Sequence, residues 1–360
     1  MVVCLGFVAV MAAGSLGLLA ADKPKEVWTD PQDPALPIEF KIQGEYAGRI
    51  EGGDALGCQV IALGPGAFQA VLLPGGLPGD GWDGKHKMLM DGRLEGDQAV
   101  FAPAGGHRLY LAGNPQEFSA TRQFPPAGHK PCTATVSGET MNGKTDEGQN
   151  EDGKLFLLKK VVRKSPTEGA PPPAGAIVLF DGSNTDHWNG GRLDEVTHLL
   201  NTDGRDILSK PKFNNFVMHL EFLLPFRPEA RGQGRGNSGY YLVDHYEVQI
   251  LDSFGLDGVN NECGGVYTKA DPKVNMCYAP LAWQTYDIEF TNAARDAEGN
   301  KVKNALLTLR HNGVTIHENL EINGPTGGHR NELEGTPGSL KLQGHGNPLQ
   351  FRNLWIVEKH

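Results

Sequence analysis

Short apolar runs broken by turn residues dominate the chain. IEFKI, GCQVIALG, FQAVLL, QAVFAP, HRLYLAG, TATVSG and KLFLLKKVV follow one another over residues 37–162. Gly, Pro, Asn and Asp stand between them, the pattern of β-strands and tight turns. This stretch predicts a small β-sandwich or barrel. A second series covers residues 176–360: AIVLF, FVMHLEFLL, SGYYLV, YEVQILD, GGVYT, TYDIEFTN, ALLTLRHNG, VTIHENLEI, GSLKLQGHG and FRNLWIVE. Asn312-Gly313 between two alternating runs is a strong hairpin signal. The second series predicts two packed antiparallel sheets. RKSPTEGAPPPAG (residues 163–175) separates the two series. Its proline run favours polyproline II and reads as a semi-rigid spacer.

Residues 1–21 form an apolar run ending in small residues. They read as a signal peptide, which implies export to the periplasm or beyond and no membrane anchor after cleavage; no Lys or Arg precedes the run, and a membrane anchor is the alternative. Residues 22–36 are polar and proline-containing, an extended leader. The net charge of −10 leaves no basic stripe for phosphate backbones and argues against nucleic acid. Neutral sugars remain open as partners. Without the leader, four cysteines are left. In an exported chain they predict two disulfides, Cys58–Cys132 and Cys263–Cys277, with four buried thiols as the alternative. The histidines show no metal-binding spacing, so no cofactor is expected; a divalent cation on Glu247 and Asp252 stays open.

The most informative segment is Tyr246-Glu247-Val248-Gln249-Ile250-Leu251-Asp252. Strand alternation turns Val248 and Ile250 inward and Glu247 and Gln249 outward. Asp252 falls on the inward face unless a bulge shifts it. Gln343-Gly344-His345-Gly346 places a histidine between two glycines, where the backbone approaches other groups closely. His345 is a candidate acid or base, and Arg352 a candidate oxyanion stabiliser. No GxSxG elbow occurs.

Taken together, LFDGSNTDHW, FVMHLEF, GNSGYYL, YEVQILDS, GGVYT, TYDIEF, the HNG hairpin and LQGHGNPLQFRNLWI resemble the 3-keto-disaccharide hydrolase domain. The resemblance covers residues 176–360. It implies an all-β fold, a concanavalin A-like antiparallel sandwich, here preceded by a smaller all-β domain. It also implies cleavage of 3-keto-glycosides by acid/base chemistry through C2 deprotonation. The implied catalytic residues are Glu247, His345, Asp252 and Arg352. Asn237, Gln249, Tyr267 and Gln343 would bind substrate. The frame E-x-Q-x-x-D is similar to the E-x-D-x-x-E strand of laminarinase-like glycoside hydrolases, with Gln249 in place of the middle acid. A lectin-like module or a cell-envelope structural protein are the alternatives on the same fold.

Overall fold

A computed structural model describes residues 26–146 and 153–359. The expected signal peptide, and the leader up to residue 25, lie outside the described residues. The first series of strands closes into an eight-stranded barrel. Its strands are Gly44–Ile50, Ala55–Ala62, Ala67–Pro74, Met88–Glu95, Gln98–Pro103, Cys132–Ser137, Thr140–Thr145 and Leu155–Val161. Each pairs antiparallel with its sequence neighbour, and the last closes onto the first. Tyr46, Val60, Phe68, Leu72, Met90, Phe101, Val136 and Leu158 fill the interior.

The sequence pattern differs around this barrel for a physical reason. Leu155–Val161 and Cys132–Ser137 alternate buried and exposed positions, because their outer faces meet water. In Ala55–Ala62 and Ala67–Pro74 almost every position is buried. Their outward residues Ile61, Val71 and Leu73 join the sandwich in one continuous apolar core. Double-sided burial gives an unbroken apolar run.

The sandwich has two antiparallel sheets. The larger contains Gln350–Glu358, Phe216–Leu223, Trp283–Thr291, Ala305–His311 and Val314–Ile322 in that order, with shorter strands at the Gln350–Glu358 edge. The smaller runs Trp188–Asn189, Ile207–Ser209, Lys341–Leu342, Ser238–Leu242, Tyr246–Ile250. Met218, Leu220 and Phe222 of one sheet meet Tyr240, Leu242, Val248 and Ile250 of the other in the shared core. The hairpin at Asn312-Gly313 forms as expected, with both residues at positive φ (51° and 81°).

Three expectations are corrected. IEFKI is a single helical turn, Ile38–Ile42, with Glu39 and Ile42 buried. Spacing of i and i+3 puts those two on one helical face, and Glu39 Oε1 accepts the Gly66 N–H at 2.7 Å. GGVYT makes only isolated bridges at Val266, to Val248 and Ala270, in place of a strand ladder. Neither disulfide is present: Cys58, Cys132, Cys263 and Cys277 are buried and not joined to one another. Three of them have polar neighbours close by. Cys263 Sγ lies 3.3 Å from the Tyr286 hydroxyl, Cys277 Sγ 3.5 Å from the Leu251 carbonyl, and Cys132 Sγ 3.5 Å from the Lys130 carbonyl.

Residues 165–170 lie against the outer face of the larger sheet, while residues 171–175 are exposed. Ser165 Oγ is 2.6 Å from Thr285 Oγ1, Thr167 Oγ1 donates to Asp287 Oδ2 at 2.7 Å, and the Gly169 N–H donates to Glu221 Oε1 at 2.5 Å. The Ala170 carbonyl accepts from Asn353 and Trp355. The first half of the predicted spacer is thus a strap. Arg163 also reaches back to the barrel, its guanidinium bonded to both oxygens of Glu45.

Candidate active site

The alternation read from the sequence holds in the strand Tyr246–Ile250. Tyr246, Val248 and Ile250 point into the core, and Glu247 and Gln249 take the outer face of the smaller sheet. Across the ladder Tyr241 pairs with Glu247 and Gly239 with Gln249. A Cβ at Gly239 would stand 2.2 Å from Glu247 Oε1 and 3.0 Å from Gln343 Oε1. Glycine is therefore what lets the carboxylate lie across the neighbouring strand.

The Tyr241 hydroxyl is 2.9 Å from both Glu247 Oε2 and the Gly327 carbonyl, and it accepts from Gln343 Nε2 at 3.2 Å. The Gln249 amide lies 3.0 Å from Glu247 Oε1, so with its nitrogen on that side it donates to the carboxylate. Lys341 packs its ammonium 3.8 Å from the centroid of the Tyr241 ring and 2.8 Å from Asp244 Oδ1. Glu247 is only 3% exposed. Burial pushes its carboxyl up to about 7, against the opposing pull of the Tyr241 hydrogen bond and of Lys341.

Glu247 opens into a cavity of about 460 Å³ that Asn237, Gln249, Tyr267, Gln343 and His345 also line, with Gln233, Tyr241, Gly327 and Gly328. Six of the eight residues expected at a site thus converge. Asn237 Nδ2 donates to Gln233 Oε1 at 3.2 Å. Gln343 Oε1 is buried and has no partner among the described residues, an acceptor left over for a ligand hydroxyl. His345 is exposed at the rim. The glycine beside it serves as expected: a Cβ at Gly344 would come within 2.2 Å of the Arg205 backbone nitrogen.

Two expected residues lie elsewhere. Asp252 keeps the inward phase of its strand, 2% exposed, and accepts from Arg235 Nε at 2.5 Å. Burial raises its carboxyl, while Arg235 opposes the rise. Arg235 Nη1 also donates to the Ala62 carbonyl at 3.0 Å, so the pair ties the sandwich to the barrel. Asp252 and Glu247 therefore do not share a cation. Among the described residues, no group of three or more His, Cys, Asp or Glu is placed to hold a metal. Arg352 sits on the larger sheet, its Nε 2.6 Å from Glu221 Oε2 and its Nη2 3.0 Å from Glu168 Oε1, with its guanidinium 3.8 Å from the Trp283 ring centroid. His345 and Arg352 are close in sequence, but the chain crosses from one sheet to the other between them.

Tyr241, Gln233 and Lys341 were missed. Tyr241 had a usable signal: in SGYYL it shares the outward phase with Gly239. Lys341 had the same signal, sharing the outward phase of Gln343 while Leu340 and Leu342 face the core; Gln233 had none, since it reaches the site through a loop. The assembled groups offer a carboxyl poised near neutrality, a rim imidazole, neutral amide donors and a phenol. That set can move protons and hold hydroxyls or a carbonyl.

The family described as the 3-keto-alpha-glucoside-1,2-lyase-like domain matches residues 175–357. A candidate glycosyl hydrolase from Parabacteroides distasonis, solved at 2.13 Å, is similar at 32% identity over 52% of this chain and 85% of that one, with a TM-score of 0.48. A second candidate glycosyl hydrolase from the same organism, solved at 1.70 Å, is similar at 17% identity over 52% and 95%, with a TM-score of 0.38. No curated protein matches the chain.

Proposed function

The chain belongs to the 3-keto-alpha-glucoside-1,2-lyase-like domain family, and from that premise we propose that the Glu247 cavity cleaves a glycoside bearing a ketone at C3. A C3 ketone acidifies the C2 proton. Glu247 takes that proton, and the electron pair forms an enolate with the C3 oxygen. The enolate then expels the C1 oxygen substituent, whose leaving oxygen takes a proton from His345 at the rim. The products are an alcohol and a sugar enone. Addition of water across C1 and C2 of the enone completes a net hydrolysis.

One observation carries the reading: a buried carboxyl held near pH 7 opens into a sugar-sized cavity lined by amides. A general base works best with its pKa near the operating pH. The enolate oxygen would be met by neutral donors, the amides of Asn237, Gln249 and Gln343, since Arg352 belongs to the other sheet. The unpartnered Gln343 Oε1 would accept a sugar hydroxyl. No covalent carboxylate nucleophile is required, in keeping with Gln249 standing where a second acid would serve a double-displacement enzyme.

The test uses a nitrophenyl 3-keto-α-glucoside and the unoxidised glucoside. Nitrophenol release from the keto substrate alone, with deuterium entering C2 in heavy water, is the expected result. Binding without release would make the site a lectin. Equal release from the unoxidised glucoside would rule out the C2 route.

A further inference from the structure

We propose a second ligand site, for an aromatic carboxylate, in the cavity between the barrel mouth, the leader and the segment Tyr278–Ala282. This cavity of about 580 Å³ shares no lining residue with the Glu247 site. Its size falls in the range of small-molecule pockets, which combine apolar walls with a few placed polar groups. Phe40, Val161, Tyr278 and Leu281 supply apolar wall.

The polar groups are unevenly satisfied. Arg163 is neutralised by Glu45. Lys160 donates to the Lys41 carbonyl and has no carboxylate within ion-pairing distance among the described residues. Gln43 is 3% exposed; its Oε1 accepts the Ala62 N–H at 3.1 Å, while its Nε2 has no partner among the described residues. A buried amide nitrogen without an acceptor is uncommon in a folded protein. Gln43 Nε2 lacks an acceptor and Lys160, bonded to a carbonyl and lying over the Tyr46 ring, lacks a counter-charge, so the missing partner is a negatively charged acceptor. The wall carries Lys41, Lys160 and Arg163 against Glu45 and Glu139, a local positive surplus in a chain of net charge −10. A planar ring against Phe40 and Tyr278, with its carboxylate between Lys160 and Gln43, meets each of these features.

The probe is 2-naphthoate, titrated by calorimetry into the full chain, with 2-acetonaphthone as the uncharged control. Saturable one-to-one binding is expected, with the control and the Lys160→Met variant each about tenfold weaker or more, the loss of one charge-assisted hydrogen bond. Ala279→Trp, which fills the cavity, should abolish binding, and Glu247→Gln should leave it unchanged. Melting curves establish that each variant is folded. No saturable binding, or equal binding by folded Lys160→Met and Ala279→Trp, overturns the proposal. Loss of binding in Glu247→Gln would move the probe to the other site and overturn it too.

Discussion

Glu247 and Glu221 stand on opposite sheets of one sandwich, each turned away from the shared core and each covered. Glu221 has four partners: Arg352, Asn353, the Gly169 N–H and His219. His219 in turn is bonded to Asp287 at 2.7 Å. Burial alone would raise the Glu221 carboxyl, but the hydrogen bonds of His219, Asn353, Gly169 and Arg352 bring it down to about 2. Glu247 has one phenol and one amide for partners, with the Lys341 charge attracting it without a hydrogen bond, and it settles near 7. Burial acts on both side chains. What differs is whether the surroundings offer charged donors, as at a structural site, or neutral ones beside an open cavity.

The largest contrast should appear in turnover. Glu247→Gln should lower kcat on a 3-keto-glycoside by about 100- to 10,000-fold, the range for loss of a general base. Gly239→Ala comes next. Its Cβ displaces the Glu247 carboxylate, and a misplacement of about 1 Å costs on the order of 100-fold; kcat on the same substrate measures it, with the melting temperature as control. Arg352→Met should leave turnover unchanged while urea unfolding shows a loss of about 2–3 kcal/mol. That figure sits below the usual range for breaking a buried pair, because Arg352 is itself a third exposed. A drop in turnover with stability intact would return Arg352 to catalysis and dissolve the contrast.

The smallest effect is on the pH dependence of stability. Glu221, with its native pKa lowered, contributes stability above about pH 4.5 that is lost as the pH falls toward 2. Glu247 has the opposite sign. Its native carboxyl binds the proton more tightly than the unfolded chain does, so wild-type stability falls as pH rises from about 4.5 through 7. Glu247→Gln should therefore match wild type near pH 4 and exceed it at pH 8, as followed by urea midpoints. Equal midpoints at pH 8 would mean that Glu247 carries no desolvation strain.

Much of this was legible because period-2 patterning reports which face is dry. The outward Glu247 and Gln249, the inward Asp252 and the Asn312-Gly313 turn all follow from local sequence. Residue proximity misled where the chain changes sheets, as between His345 and Arg352. IEFKI misled because five residues satisfy either period. The strap could not be read at all. Its prolines describe a stiff segment equally well whether it spans solvent or lies on a surface, and only the polar row of His219, Glu221, Asp287 and Asn353 decides between them.

That covering segment bears on how the chain can be divided. A gene boundary at the proline run looks natural for shuffling the two halves independently. Cutting there would strip the lid from a row of buried polar side chains and bare the apolar flank of Ile61, Val71 and Leu73 on the severed partner. The halves are better regarded as co-inherited than as interchangeable cassettes.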